Sequence, residues 1–333
     1  MNILGISASP SDYGFCFLRD GEIQNAIQHS CLSLDSLTSH LQASGVDFAD
    51  IDLLAVCDRP PLQWNRIIKT GFSQAPEGAG AFVKEALPWM RRYLWMKKNF
   101  GQKSDFHGDV LFVGRHKSLA AAAFFQSGFS HAAVLTMDAG TEWGTSSIGV
   151  ASLTDFSVLA EQYYPHSMEL LCSAFMPVLG ISNGDVNAFS ALASTGTPQY
   201  TDFILSELMD LKEDGSFRFD MDCFEPRHGL TVSRSCLHKM LGYSIDKPVI
   251  AGQEGKDIAR SVLGVTEEIF LRTVGYLRRV SGQTRLCVFA GGARSYFNGG
   301  PTLGGLSFDK VYVQDVCSGA TGAALFARHL HCQ

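Results

Sequence analysis

The chain has 333 residues, 46% of them hydrophobic and 18% charged, with 33 glycines and a formal net charge of −6. That length holds one large domain or two medium ones, and the composition belongs to a packed α/β protein rather than a disordered or coiled-coil one. The acidic balance argues against a broad nucleic-acid-binding face, and no apolar run approaches the roughly 18 residues that would suggest a membrane span.

The chain opens directly into a strand, Ile3–Ser9, so no leader is expected. Gly14–Leu18 reads as its hairpin partner, and Asp20-Gly21 turns into a third strand, Glu22–Gln28. Ser33–Ser44 reads as a short helix and Ile51–Val56 as a core strand that ends at Cys57-Asp58, with Arg59-Pro60-Pro61 breaking regularity. From Arg66 to Phe100 come two helical stretches rich in aromatic and basic residues. Their Trp64, Trp89, Trp95, Arg91 and Arg92 are candidates for a partner face, set against the alternative of a core with basic side chains snorkelling outward. Val110–Val113 reads as a strand, and Lys117–Gln126 as a helix whose alanines allow close packing.

Val134–Gly149 is the stretch around which the chain is organised. It reads as a buried strand to Met137, a tight turn at Asp138-Ala139-Gly140, and a returning strand from Gly144 to Ala151. Asp138 then stands at the carboxyl end of a strand, where ligands bind in α/β sheets, and Gly140 and Gly144 let backbone amides approach a phosphate. A plain hairpin turn also accounts for the pattern. The strand–turn–strand–turn–strand unit of the N-terminus recurs over Ala132–Gln162, roughly 130 residues later, which predicts two similar lobes across a cleft. We divide the chain at 1–131 and 132–333 on this basis.

In the second half, Ser167–Leu179 reads as a helix stopped by Gly180, and Gln199–Leu211 as another. Gly215–Asp220 is a small polar strand or loop. The helix Lys256–Val280 places Ile258, Val262, Val265, Ile269, Val274 and Leu277 on one face, with Arg278 and Arg279 suited to its negative end. Arg285–Ala290 is a buried strand followed by Gly291-Gly292, Val311–Gln314 is the last strand, and Ser318–Leu330 the last helix, opened by Gly319 and Gly322. A double glycine after a buried strand, together with the Asp138 turn, points to nucleotide binding. Nine cysteines stand singly with no C-x-x-C pair, and we read them as buried thiols in a reducing cytoplasm rather than disulfides or a zinc site.

Several stretches together resemble one family. LGISASPSDYGFCFLRDG (4–21), CDRPPLQWNRIIKT (57–70), ALPWMRRYLWMKK (86–98), the Val134–Gly149 turn, YPHSMELLCSAFMPVLG (164–180), KDIARSVLGVTEEIFLR (256–272) and AGGARSYFNG (290–299) are similar, in order, to the N-terminal domain of the O-carbamoyltransferases of antibiotic and nodulation-factor biosynthesis. The resemblance implies the duplicated two-lobed α/β fold of actin and the sugar kinases, the ASKHA fold. It implies a cleft for ATP or carbamoyladenylate touched by Asp12, Gly140, Gly291, Gly292, Asn298 and Gly319. It also implies transfer of a carbamoyl group to an acceptor hydroxyl. The full-length family carries a YrdC-like C-terminal domain that makes the activated donor, and the stretches that carry the resemblance are expected to belong to the first domain alone.

The resemblance also implies a metal site built from H-x-x-x-H and two aspartates. Here the two histidine positions are Arg115 and Leu119, while His116 points elsewhere on the helix. The last aspartate falls at Cys317 or Ser318, and Asp138 alone is kept. One carboxylate does not hold a metal tightly, so no divalent ion is expected, and the Arg115 cation is a candidate to fill its place. In the first hairpin a family histidine is Ser11, with Asp12 kept, and a family lysine is Ala188. Two readings follow from the resemblance. In the first, catalysis is lost or altered and the domain binds a nucleotide or a partner, either a full-length carbamoyltransferase or a YrdC-like subunit. In the second, the domain is active on a partner's carbamoyladenylate, with Asp138 as base and Arg115 steadying the phosphate. His166, Glu142 and Trp143 would shape the acceptor pocket. An unrelated kinase or phosphatase of the same fold is the third reading.

Overall fold

A computed structural model describes residues 1–9, 12–29, 34–73, 75–76, 79–98, 105–139, 141–182, 184–225, 230–243, 249–291, 308–314 and 318–331. In the first half, β1 (Asn2–Ser9), β2 (Asp12–Arg19) and β3 (Glu22–His29) form an antiparallel meander, followed by helix α1 (Leu34–Ala43) and strand β4 (Leu53–Cys57). The helical pair α2 (Pro60–Ser73) and α3 (Ala79–Lys98) leads to β5 (Asp109–Val113) and α4 (Arg115–Ser127). Strands β4 and β5 run parallel to β1, giving the order β3-β2-β1-β4-β5.

The second half repeats the plan. Strands β6 (His131–Met137), β7 (Gly144–Ser152) and β8 (Phe156–Tyr163) form a second meander. A long excursion follows through α5 (Met168–Phe175), α6 (Val186–Ala193), the single turn α7 (Thr201–Phe203), the strand pairs β9 (Met209–Leu211) with β10 (Phe217–Phe219) and β11 (Phe224–Glu225) with β12 (Thr231–Val232), then α8 (Arg234–Leu241) and α9 (Gly252–Ser281). The chain returns as β13 (Arg285–Phe289), β14 (Lys310–Val313) and α10 (Ser318–His331). The second sheet has the order β14-β13-β6-β7-β8, with β13 and β14 parallel to β6. Both sheets therefore share one topology, and the chain has the duplicated two-lobed ASKHA architecture.

Burial follows position in the sheet. The interior strand β4 is buried at every residue, whereas the edge strand β8 is exposed along most of its length. Helix α1 covers one face of the first sheet, where Leu37 and Leu41 pack on Leu4, Ile6, Phe15 and Phe17. The other face is covered by α10, whose Ala320, Ala323 and Ala324 meet Ile3, Cys16 and Ala55. In return α4 packs Ala123 and Phe124 on Ala132, Val134 and Cys287 of the second sheet. The helix that ends each lobe thus lies on the other lobe's sheet. On the far face of the second sheet, α9 buries Ile258, Val262, Val265, Ile269, Val274 and Leu277, the stripe read from the sequence.

Three expectations change. The helix read over Gln199–Leu211 ends at Leu208, and Met209–Leu211 is a strand returning through the Lys212–Ser216 turn to Phe217–Phe219. Pro60 opens α2 rather than interrupting the chain, since proline at a first helical position forfeits only an amide without an intrahelical partner. Cys223 and Cys236 form a disulfide that ties the tight turn Met221–Cys223 to α8, so they are not thiols, while Cys16, Cys57, Cys172 and Cys287 are buried and outside any disulfide. Among the described residues no helix is long and apolar enough to cross a membrane.

Candidate functional site

The two lobes meet where the first hairpin of each sheet faces the N-termini of α4 and α10. Arg115 is the first residue of α4 and only 3% exposed. Its Nη1 donates to Asp12 Oδ2 at 2.9 Å and its Nη2 to Asp138 Oδ1 at 3.1 Å. One guanidinium therefore ties the first hairpin to the second. Asp12 Oδ2 also accepts from the Gly319 amide at 3.0 Å and from Ser7 Oγ at 3.2 Å, so α10 joins the same cluster. The turn at Asp138 is fixed by its backbone. Its amide donates to the Thr145 carbonyl and its carbonyl accepts from Ser167 Oγ, the N-cap of α5.

A buried ion pair costs desolvation energy that only good geometry and further hydrogen bonds offset. Here one cation meets two carboxylates, and Nη1 also lies 3.7 Å from Cys57 Sγ. Burial alone would pull the guanidinium's pKa down, but the carboxylates of Asp138, Asp58 and Asp12 outweigh it and hold the charge firmly. Burial pushes the Cys57 thiol well up, which keeps it protonated.

Four of the residues singled out in the sequence, Asp12, Arg115, Asp138 and Gly319, thus lie in one cluster. Gly291 stands nearby, where a side chain would come against the Met137 carbonyl and Glu169. Gly140, Gly292 and Asn298 lie outside the described residues, as do Ser11 and Cys317. His116 turns away from the cluster, with Nδ1 2.7 Å from Thr136 Oγ1, and burial lowers its pKa. Glu142 is buried and holds Arg59, accepting from its amide at 2.7 Å and from Nη2 at 2.8 Å. Trp143 Nε1 donates to Asn65 Oδ1, and the backbone amide of Phe219 donates to His166 Nδ1, so both rings are held in place.

Two carboxyl groups stand out that the sequence reading did not single out. Asp58 has a backbone φ of 81°, uncommon for a residue with a side chain, and accepts from Thr141 Oγ1 at 3.1 Å. Burial first, then the repulsion of Glu142 and Asp138, raises its pKa to about 6. Glu169 in the first turn of α5 is raised to about 7 by burial and then by Asp138. The signal available in the sequence was placement: Asp58 directly follows a buried strand, as Asp138 does. One pocket is lined by Asp58, Gln63, Trp89 and Tyr93, and another by Asp138, His166 and Glu169.

The resemblance places a divalent ion between the hairpins. The donors present are two carboxylates that share one guanidinium, and the second histidine position is the buried, apolar Leu119. Among the described residues no group of three or more His, Cys, Asp or Glu is arranged to hold a metal ion. This donor set does not fit a divalent cation.

A cleft between duplicated lobes, closed by paired hairpin turns, defines the class. Component A of the (R)-2-hydroxyglutaryl-CoA dehydratase of Acidaminococcus fermentans aligns over 100% of both chains with a TM-score of 0.51 at 13% identity, a likeness of fold alone. The family model described as carbamoyltransferase N-terminus matches residues 14–327, and the chain belongs to that family. It is 31% identical to the uncharacterized protein sll1178 of Synechocystis sp. over all of this chain and 58% of that protein. It is 26% identical to the nodulation protein NolNO of Sinorhizobium fredii over 93% of this chain and 44% of that protein. The chain thus spans about half the length of these curated relatives.

Proposed function

We propose that this is a carbamoyltransferase-family domain whose metal-assisted centre has been replaced by an arginine lock. In this reading it acts by binding, taking an adenine nucleotide in the cleft or completing a partner carbamoyltransferase. The observation that carries the reading is Arg115 between Asp12 and Asp138. Both carboxylates that would hold a cation are committed to one that cannot leave. Asp138 Oδ1 is already occupied by Arg115 Nη2, which counts against Asp138 as a general base.

The test is a thermal-shift and calorimetric series on the whole chain with ATP, ADP, carbamoyl phosphate and Mn²⁺. Adenine nucleotide should raise Tm, Mn²⁺ alone should not, and the isolated chain should transfer no carbamoyl group from carbamoyladenylate to a hydroxyl. Stoichiometric Mn²⁺ binding lost in Asp138→Asn, or transfer by the isolated chain, overturns the reading.

One observation favours the second reading, an active domain supplied with carbamoyladenylate by another subunit. Asp58, titrating at about 6 in a left-handed backbone beside the Trp89 and Tyr93 pocket, has the properties of a general base near neutral pH. It would take the acceptor hydroxyl's proton as that oxygen attacks the carbamoyl carbon and the adenylate leaves. With such a complex in hand, Asp58→Asn should lower kcat by about 100-fold or more while nucleotide affinity holds. An unchanged kcat removes Asp58 from that role.

A further inference from the structure

Helix α3 carries two adjacent stripes, and among the described residues one of them packs on α2. Phe82, Ala86, Trp89 and Tyr93 lie along the side that meets α2. Trp89 stacks between Trp64 and Tyr93 at ring distances of 4.6 and 5.3 Å, and its Nε1 donates to Gln63 Oε1. On the same side Glu85 takes the ion pair of Arg66. The next stripe round the helix is Val83, Leu87, Met90 and Leu94, and these are 49%, 48%, 44% and 58% exposed. Their spacing of four, three and four residues is that of a coiled-coil seam, since at 100° per residue all four fall within an arc of about 60°. Exposed Lys84, Arg91 and Lys98 follow the edge of this ridge that faces away from α2.

We infer that the outer ridge of α3 docks an amphipathic helix of a partner polypeptide, apolar at matching spacing and edged with Asp or Glu opposite Lys84, Arg91 and Lys98. The charge pattern selects this occupant. An antiparallel second copy would set the three basic residues against themselves, and a parallel copy would need the edge that α2 already covers. A bilayer surface calls for an apolar face of 100° or more rather than a narrow seam, and a chain of net charge −6 is repelled by anionic lipid. A helix laid along the ridge buries four apolar side chains over about 17 Å of axis and forms charge pairs along one flank only. The inference needs neither the arginine lock nor a bound nucleotide, so it stands or falls separately from the reading of the cleft.

The probes are two synthetic helical peptides with identical leucine seams, one flanked by Glu and the other by Lys, titrated against the full chain by fluorescence anisotropy. The Glu-flanked peptide should bind about tenfold or more tighter, with the advantage shrinking in high salt. Leu87→Glu should abolish binding, and Arg91→Glu should shift preference toward the Lys-flanked peptide. Both substitutions are at exposed positions, and circular dichroism of each variant checks the fold. Equal binding of the two peptides, or none, overturns the proposal. So does co-sedimentation of the chain with phosphatidylserine vesicles that Leu87→Glu abolishes, or a wild-type dimer that Leu87→Glu dissociates, because either assigns the ridge to another occupant.

Discussion

The two lobes share every strand pairing of their sheets yet meet the cleft with different chemistry. Each sends its last helix across to the other's sheet. Helix α4 enters the cleft with a long charged side chain, Arg115, and α10 enters with a bare backbone amide at Gly319. Both contacts end on Asp12 Oδ2. Repetition thus fixes where the helices point, while the identity of one residue at each helix start decides whether the junction is a cation or an amide. The asymmetry also explains the spacing of the halves. A Cβ on Gly319 would come 2.3 Å from Asp12 Oδ2, and one on Gly322 only 1.7 Å from the Ser118 carbonyl of α4.

The strongest way to break this comparison is Arg115→Ala. It leaves Asp12 and Asp138 buried beside each other without their shared cation, and we expect a loss of about 3–5 kcal/mol in urea unfolding. Adding Asp12→Asn should restore part of that loss, because the uncompensated charge is then smaller. Arg115→Lys should recover little, since one ammonium lacks the planar fork that reaches both carboxylates. If Arg115→Ala unfolds at the wild-type midpoint, the cluster is not what joins the lobes. Gly322→Ala should cost less, about 1–3 kcal/mol, because the α4–α10 crossing must open by a fraction of a side chain. The matching change on the α4 side, Ala122→Gly, should cost about 1 kcal/mol, from helix propensity. Similar costs for the two would mean that the crossing is less tight than the geometry implies.

Much of the scaffold was legible in the sequence because it rests on period and repetition. The strand triplet near Ile3 and its recurrence near Ala132 are both present, and the apolar stripe of α9 is buried where its 3- and 4-residue spacing put it. The failures share a cause, which is that local pattern does not report tertiary partners. Met209–Leu211 continues a helical pattern but pairs with Phe217–Phe219 because the turn at Gly215 folds it back. Cys223 and Cys236 look like any scattered thiols until α8 brings them together. In the cleft, Arg115 and Asp138 could be named from the family pattern, but their shared contact with Asp12 depends on a crossing of lobes. Asp58 and Glu169 were missed because a carboxyl group's environment, not its neighbours in sequence, sets its titration.

A pH-dependent effect tests that last point. Glu169 is raised from an ordinary 4.5 to about 7, first by burial and then by Asp138, with Arg115 opposing. Between those two values the folded chain holds a proton that the unfolded chain has released. Native protein therefore binds more protons there, and stability falls as pH rises from about 4.5 to about 7. Asp58, raised from 3.8 to about 6, contributes with the same sign over the lower part of that window. Glu169→Gln removes one contribution, so its unfolding free energy should decline less than the wild type's across the window, by about 1 kcal/mol once the side chain's partial contact with water is allowed for. Asp138→Asn should lower the Glu169 titration midpoint followed by carboxyl-carbon NMR, because the repelling charge is gone. Arg115→Ala should raise it. Opposite shifts from two partners of one ion pair would show that Glu169 senses the lock that joins the lobes. A midpoint indifferent to both would leave burial as its sole cause and separate the second lobe's pocket from the junction.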